Sequence, residues 1–242
     1  MGASEQLRIV GTAATREIAA MLDAVAASTG RKKVRVLQVG ARRHPAERGE
    51  HNWRHLIEDK FGKRAQFTGV DSCADANVDI VCADPAELGR TLDAASFDLV
   101  VCDRLLEHAK APWRIADQLQ RLMAPGAHLF TRVAWARAHH AEPDDYWRMS
   151  FAGVLLLFDG LRPVSLFYTG GAAGLDVAYR VTRGESVEVS PAIGAVEQGL
   201  FQVVLDHEAN RAMLANQAGQ RYPLSRDYLP TMFVNVVARR EP

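Results

Sequence analysis

The stretch FDLVVCDRLLEHAKAPWRIADQLQRLMAPGAHLF, Phe97 to Phe130, contains a complete folding unit. It opens on FDLVVC, apolar at every position but Asp98, the pattern of a strand covered on both faces. Pro112 then stands near the first turn of a helical segment, PWRIADQLQRLM, and Pro125-Gly126 marks its stop. A second strand-like run, AHLFTRV (127–133), follows at once. Strand, helix and strand in that order predict a parallel pair joined by a crossover helix.

The same rhythm extends in both directions. Upstream, ATREIAAMLDAVAAS (14–28) spaces Ile18, Met21, Leu22 and Val25 at helical intervals, and Gly30 with a basic cluster closes it. Next come VRVLQV (34–39), a helix near 52–60, QFTGV (66–70), VDIVC (78–82) and the helical PAELGRTL. Downstream, FAGVLLLF predicts a short helix, while RPVSLFYTGG, LDVAYRV and the terminal TMFVNVVARR read as strands. The prediction is an α/β fold, a single Rossmann-like domain with a mostly parallel seven-stranded sheet and helices on both faces. Residues 1–33 form its N-terminal helical segment, 34–158 its core and 159–242 its C-terminal strands. Within the last part, 184–230 is expected to be a cap over the substrate, an oligomer contact such as a homodimer's, or an elaborated loop, with VVLDHEANRAMLANQ as its best helix.

Composition narrows the function classes. The 242 residues, 48% hydrophobic and 24% charged, suit one globular domain. With 29 basic and 29 acidic side chains, no excess field points to nucleic acid or an anionic membrane as principal partner. No apolar run reaches the roughly 18 residues of a membrane span, and no signal peptide is recognisable, so a cytoplasmic location is expected. Cys73, Cys82 and Cys102 are odd in number and lack C-x-x-C spacing, which predicts buried structural thiols rather than disulfides or a zinc site.

In an open α/β sheet, ligands lie beyond the carboxyl ends of the strands, so the residues after each strand carry the functional information. After the first strand stands GARRHP (40–45), without the later glycines that would bring a pyrophosphate onto a helix N-terminus. A nicotinamide-dependent oxidoreductase is thereby disfavoured. S-adenosylmethionine has no phosphate. It needs a close backbone approach, which Gly40 permits, and a partner for its carboxylate, which Arg42 or Arg43 could supply through a planar donor fork. Asp71, 31 residues after Gly40 at the tip of FTGVDS, can accept both ribose hydroxyls, a reading preferred to a helix cap. Asp84, in IVCADP, can accept from the adenine amino group or cap the helix that Pro85 begins.

Taken in order, V-L-x-V-G, F-T-G-V-D, C-A-D and FDLVV…LEH…PW…L…PG resemble the class I S-adenosylmethionine-dependent methyltransferases of the type 11 group, over about residues 34 to 158. HHAEPDDYWRMSFAGVLLLF (139–158) is similar to a subgroup with a D-Y-W-R segment after strand five. The resemblance implies S-adenosylmethionine as cofactor and S-adenosylhomocysteine as product. It implies Gly40 with Ala41 and Arg42 at the first turn, Asp71 with Ser72 on the ribose, Asp84 on the adenine side, and Cys102 and Asp103 beside the methionine moiety. The family's usual G-x-G-x-G is reduced here to Gly40-Ala41-Arg42.

Methyl transfer is an in-line displacement, so positioning supplies much of the rate and a base is needed only where the acceptor must lose a proton. Candidates follow strands four and five: Glu107 and His108, then His139, His140, Asp144, Asp145, Tyr146, Trp147 and Arg148. His140 suits a general base, with His139 and His108 as lesser candidates. Asp144, Tyr146 and Trp147 could bind a sugar or other polar acceptor. Structural roles compete with these: His108 orienting its turn, Arg148 pairing with Asp144, and Trp147 filling the core. A metal site from His139, His140 and Asp144 is disfavoured because adjacent histidines usually point apart. The leading expectation is methyl transfer to a small polar acceptor, and the alternative is a non-catalytic binding or scaffold subunit of the same fold.

Overall fold

The structure, a computed structural model, describes residues 17–29, 33–42, 53–137, 144–172, 175–181 and 231–242, with backbone alone for 170–181 and Thr231. Its strands are β1 (Val34–Val39), β2 (Ala65–Asp71), β3 (Ile80–Val81), β4 (Phe97–Asp103), β5 (Met123–Ala136), β6 (Arg162–Ala172), β7 (Leu175–Val181) and β8 (Thr231–Arg239). Helix α1 covers 17–28, α2 Trp53–Phe61, α3 Pro112–Leu122 and α4 Phe151–Leu157. The sheet order is β3-β2-β1-β4-β5-β8-β6-β7. Strands β3 to β5 run parallel, and β8, β6 and β7 complete the sheet through antiparallel pairs.

The expected Rossmann-like, mostly parallel sheet is therefore present, with one correction of count. All eight strand-like runs form strands, because β7 folds back on β6 as a hairpin and extends the outer edge. PAELGRTL differs too. It forms a 3-10 helix at Pro85–Arg90, too tight to continue, whose Thr91 amide closes on Leu88. Helix α3 stops two residues before Pro125, since Met123 is already extended and paired with Phe97.

Alternation along the strands builds a core on each face. Val34 and Val36 of β1, Leu99 and Val101 of β4 and Phe130 of β5 pack with α1 and α2. Leu37, Val39, Val100, Cys102 and Leu129 point the other way, onto Ile115, Ala116, Leu119 and Leu122 of α3 and Val154 of α4. The buried side of α3 follows its period of 3.6 residues, and each fully buried Leu contributes about 1.5–3 kcal/mol relative to exposure. Among the cysteines only Cys102 is buried; Cys82 is half-buried and Cys73 exposed, all three as free thiols. The expectation of three buried thiols fails at Cys73 because Ser72 and Cys73 already lie in the turn beyond β2. Among the described residues no helix is long and apolar enough to cross a membrane.

Candidate active site

The strand order reverses direction between β1 and β4, and the carboxyl ends of those strands flank the crevice where such sheets bind ligands. Gly40 closes β1 at φ 80°, in the left-handed region that favours glycine. A Cβ added there would meet Leu105 Cβ at 3.5 Å and the Asp103 carbonyl at 3.6 Å, ordinary contacts, so backbone conformation rather than space requires the glycine. The turn's amides are engaged inside the protein. Gly40 and Ala41 both donate to the Val70 carbonyl (2.9 and 3.0 Å), and Arg42 donates to Asp71 Oδ2 at 2.9 Å. Among the described residues of the turn, Gly40 to Arg42, no run of open N–H groups is left to hold a pyrophosphate.

Asp71 stands at the tip of β2 as expected, its Oδ1 accepting from the Ser72 hydroxyl (3.3 Å) and the Cys73 amide (3.4 Å). Each carboxylate oxygen has two lone pairs, and with Oδ1 accepting twice and Oδ2 once, Oδ2 can still accept from a hydroxyl. Asp84 is an N-cap: Oδ1 accepts from the Ala86 amide at 2.9 Å, ahead of Pro85 at the first helical position. Arg42 keeps an exposed side chain, and Arg43 lies outside the described residues.

The end of β4 is less open than the sequence suggested. Cys102 is fully buried, and burial first, then the charges of Glu107 and Asp103, push its thiol far above the ordinary range. The Asp103 carboxylate turns inward. Arg132 holds it with two bonds of 2.7 and 2.8 Å, and the Trp53 indole donates to it at 2.9 Å. The sheet register explains the first pair, since Asp103 and Arg132 are directly opposite on β4 and β5. Cys102 and Asp103 thus stand at the end of β4 where the sequence placed them, with the thiol buried and the carboxylate engaged by Arg132 and Trp53.

Arg104 follows at φ 53°, a conformation that costs a non-glycine residue about 1–3 kcal/mol and is found most often at functional sites. Its amide donates to the Arg132 carbonyl at 2.8 Å, fixing the turn. Burial, then repulsion from Arg132, lowers its guanidinium to about 10. Glu107 is fully buried, and among the described residues neither carboxylate oxygen finds a hydrogen-bond partner in another residue. Burial raises its carboxyl to about 7, with Asp103 adding to the shift and Arg104 and Arg137 opposing it.

The D-Y-W-R segment hangs from this turn. The Tyr146 and Trp147 amides both donate to the Glu107 carbonyl (2.9 and 3.1 Å), and His108 Nδ1 bonds the Asp144 carbonyl at 2.8 Å. Burial lowers the His108 pKa, and this engagement favours an orienting role. Arg148 pairs with Asp145, not Asp144 (2.5 and 2.6 Å), and donates to the Arg137 carbonyl, tying the segment to the end of β5. Asp144 instead accepts from the Tyr146 hydroxyl at 2.5 Å. Trp147 does not fill the core. It is 37% exposed, its indole donates to the Ala109 carbonyl at 2.7 Å, and it meets Trp113 edge-on at 6.3 Å. His139 and His140 lie outside the described residues, as does the 184–230 segment.

Arg104, Arg132, Trp53 and Trp113 entered the site from the structure alone. A signal existed for Arg132, an arginine inside the apolar run AHLFTRV, but none for the left-handed Arg104.

A family model described as a methyltransferase domain matches residues 11–161, more than half of the chain. The chain belongs to this methyltransferase family. The match is made at domain level, and the type 11 subgrouping rests on the residues quoted above. No curated protein matches the sequence. Among solved structures, the methyltransferase is similar to a SAM dependent methyltransferase from Archaeoglobus fulgidus, at 13% identity and TM-score 0.51, covering 91% of each chain. It is also similar to Haemonchus contortus phosphoethanolamine N-methyltransferase 2, solved with S-adenosyl-L-methionine, at 14% identity and TM-score 0.46, covering 91% of this chain and 52% of that one. At such identities the likeness concerns the fold of the methyltransferase.

Proposed function

We propose that this methyltransferase moves a methyl group from S-adenosylmethionine to a small polar acceptor, a sugar or secondary metabolite methylated on oxygen or nitrogen. The observation that carries this reading is the pairing of a left-handed Gly40 with Asp71 across β1 and β2. That turn keeps its amides to itself and offers a carboxylate, chemistry suited to a diol and unsuited to a diphosphate. When bound, the cofactor supplies an activated methyl carbon, which forms a bond to the acceptor's lone pair as its bond to sulfur breaks. The chain supplies placement: Asp71 and Ser72 toward the ribose, the Gly40 turn and the β4 backbone along the methionine side, and Arg42 toward the carboxylate.

On the acceptor side, Trp113, Tyr146 and Trp147 are 51, 42 and 37% exposed, next to the turn that ends β4. Their faces favour a ring bearing hydroxyls. His140, with His139, stays in the proposal as the base for an acceptor that must lose a proton. The 184–230 cap or dimer contact and a cytoplasmic setting belong to the proposal too and rest on the sequence.

The test is transfer of label from methyl-labelled S-adenosylmethionine to pooled polar metabolites, with S-adenosylhomocysteine measured in parallel. Label in a small-molecule fraction is expected, together with a Trp147→Ala variant whose KM rises severalfold while kcat changes little. Label appearing only in protein or nucleic acid would refute the acceptor class.

A further inference from the structure

The connection between β2 and β3 is short. Adjacent parallel strands are usually joined by a crossover of about a dozen residues or more, yet only residues 72–79 lie between Asp71 and Ile80, and they contain no helix. The loop therefore lies close to the sheet, under Arg54 of α2. Gly69 of β2 permits the approach: a Cβ there would come within 2.0 Å of the Asn77 carbonyl and 3.1 Å of Ala41 Cβ. Asn77, only 2% exposed, is thereby pressed against the turn that begins at Gly40.

The two ends of the Asn77 amide are assigned by their partners. Arg54 carries only donors, so the atom that its Nε meets at 2.9 Å is the side-chain oxygen. Nδ2 then faces the Ala41 carbonyl and donates to it at 2.9 Å. Arg54 is held in turn: it pairs with Asp79 at 2.6 Å and lies over the Phe67 ring, while Asp79 accepts from the Gly69 amide at 2.7 Å. This chain of bonds reaches the first turn from β2 and α2 together.

What it grips is a single peptide unit. The Ala41 carbonyl and the Arg42 amide share one plane, and that amide donates to Asp71 Oδ2 at 2.9 Å. Asn77 on the carbonyl side and Asp71 on the amide side hold the plane from opposite ends. Further glycines would leave such a turn freer to rotate. Here residues 41 and 42 carry side chains, and a neighbouring loop fixes the peptide between them.

We propose that Asn77 is a positioning residue for cofactor binding: by fixing the peptide between Ala41 and Arg42, it sets the orientation of the Asp71 carboxylate toward the ribose. Being buried, it acts through Asp71 and not on the cofactor. The proposal rests on the reading that the edge built from Gly40 and Asp71 holds S-adenosylmethionine.

The test compares wild type with Asn77→Asp, Asn77→Ala, Arg54→Lys and Ile57→Val. The aspartate keeps an acceptor for Arg54 but has no donor for the Ala41 carbonyl. Arg54→Lys removes the planar fork from the partly exposed side, and keeps the test decisive if a buried substitution unfolds the chain. Ile57→Val loosens the buried packing of α2 without touching the peptide. Affinity for S-adenosylhomocysteine is measured calorimetrically, the unfolding midpoint in urea, and hydrogen exchange of the Arg42 amide relative to the amides of β4. Affinity is expected to fall fivefold or more in both Asn77 variants and threefold or more in Arg54→Lys, and to stay within twofold in Ile57→Val. The Arg42 amide should exchange at least tenfold faster in the Asn77 variants and at the wild-type rate in Ile57→Val. Equal affinity in wild type and the folded variants of Asn77 and Arg54 would overturn the proposal. So would an equal loss in Ile57→Val, which would show that lowered stability suffices, or unchanged Arg42 exchange beside lost affinity, which would exclude the route through the peptide. A wild type that binds no S-adenosylhomocysteine would instead refute the cofactor reading on which the proposal rests.

Discussion

Glu107 shows what a single buried carboxyl does to this molecule. Its folded-state pKa of about 7 lies above the ordinary 4.5, so the native state binds its proton more tightly than the unfolded chain does. Stability from this group is complete below about 4.5, falls as pH rises and is lost above about 7. At 1.36 kcal/mol per pKa unit the loss approaches roughly 3 kcal/mol. Glu107→Gln should therefore gain stability relative to wild type by about 2–3 kcal/mol between pH 4 and pH 8 in urea titrations; a constant difference would mean that Glu107 titrates normally. Gly40 acts through conformation alone. Gly40→Ala should cost about 1–2 kcal/mol through its positive φ and weaken cofactor binding by shifting the turn; an unfolding midpoint equal to wild type would contradict this. The two residues were not equally legible. Gly40 and the place of Asp71 at a strand tip could be read, because a strand followed by glycine or aspartate has few uses, whereas nothing in D-R-L-L-E-H marks Glu107 as buried or Arg104 as left-handed.

At the scale of elements, the D-Y-W-R segment is held irregular by specific bonds. It has no ladder of its own, and it replaces one with two amides on the Glu107 carbonyl, the His108 bond and the Arg148 clamp. Arg148→Ala removes charge-assisted bonds to Asp145 and the Arg137 carbonyl, and should destabilise the protein by about 1.5–3 kcal/mol. Hydrogen exchange checks this locally: the Tyr146 and Trp147 amides should exchange at least tenfold faster in the variant. Unchanged protection would show that the Glu107 carbonyl alone suffices. Sequence spacing suggested Asp144 as the partner of Arg148, and the structure chose its neighbour, since Asp144 turns to Tyr146 and offers its carbonyl to His108. A one-residue choice of this kind depends on loop geometry, which has no period to read. Strands and helices do have a period, and α2, α3, α4 and most strands were found close to their expected bounds for that reason, while β5 runs longer than the expected 127–133 at both ends and β3 is cut to Ile80–Val81.

At the scale of the whole molecule, the topology assembles the site. Parallel β3 to β5 bring Gly40, Asp71 and the β4 turn to one edge, and β8 enters the sheet at that edge, where Met232 pairs with Ala136. The strand order was legible because apolar runs alternated with helices, and the crevice followed from the order. The division of labour within it was not, since Asp103 and Asp84 spend their carboxylates on Arg132 with Trp53 and on a helix cap. The central claim is that the edge built from Gly40 and Asp71 holds S-adenosylmethionine. The most direct measurement is calorimetric titration of nucleotide-stripped wild type, Asp71→Asn and Asp71→Ala with S-adenosylhomocysteine, and with a nicotinamide dinucleotide as control. The expected result is micromolar S-adenosylhomocysteine binding to wild type, tenfold or more weaker in both variants, which retain wild-type folding, and no binding of the dinucleotide. Equal affinity in all three proteins, or a dinucleotide bound more tightly than S-adenosylhomocysteine, would contradict it.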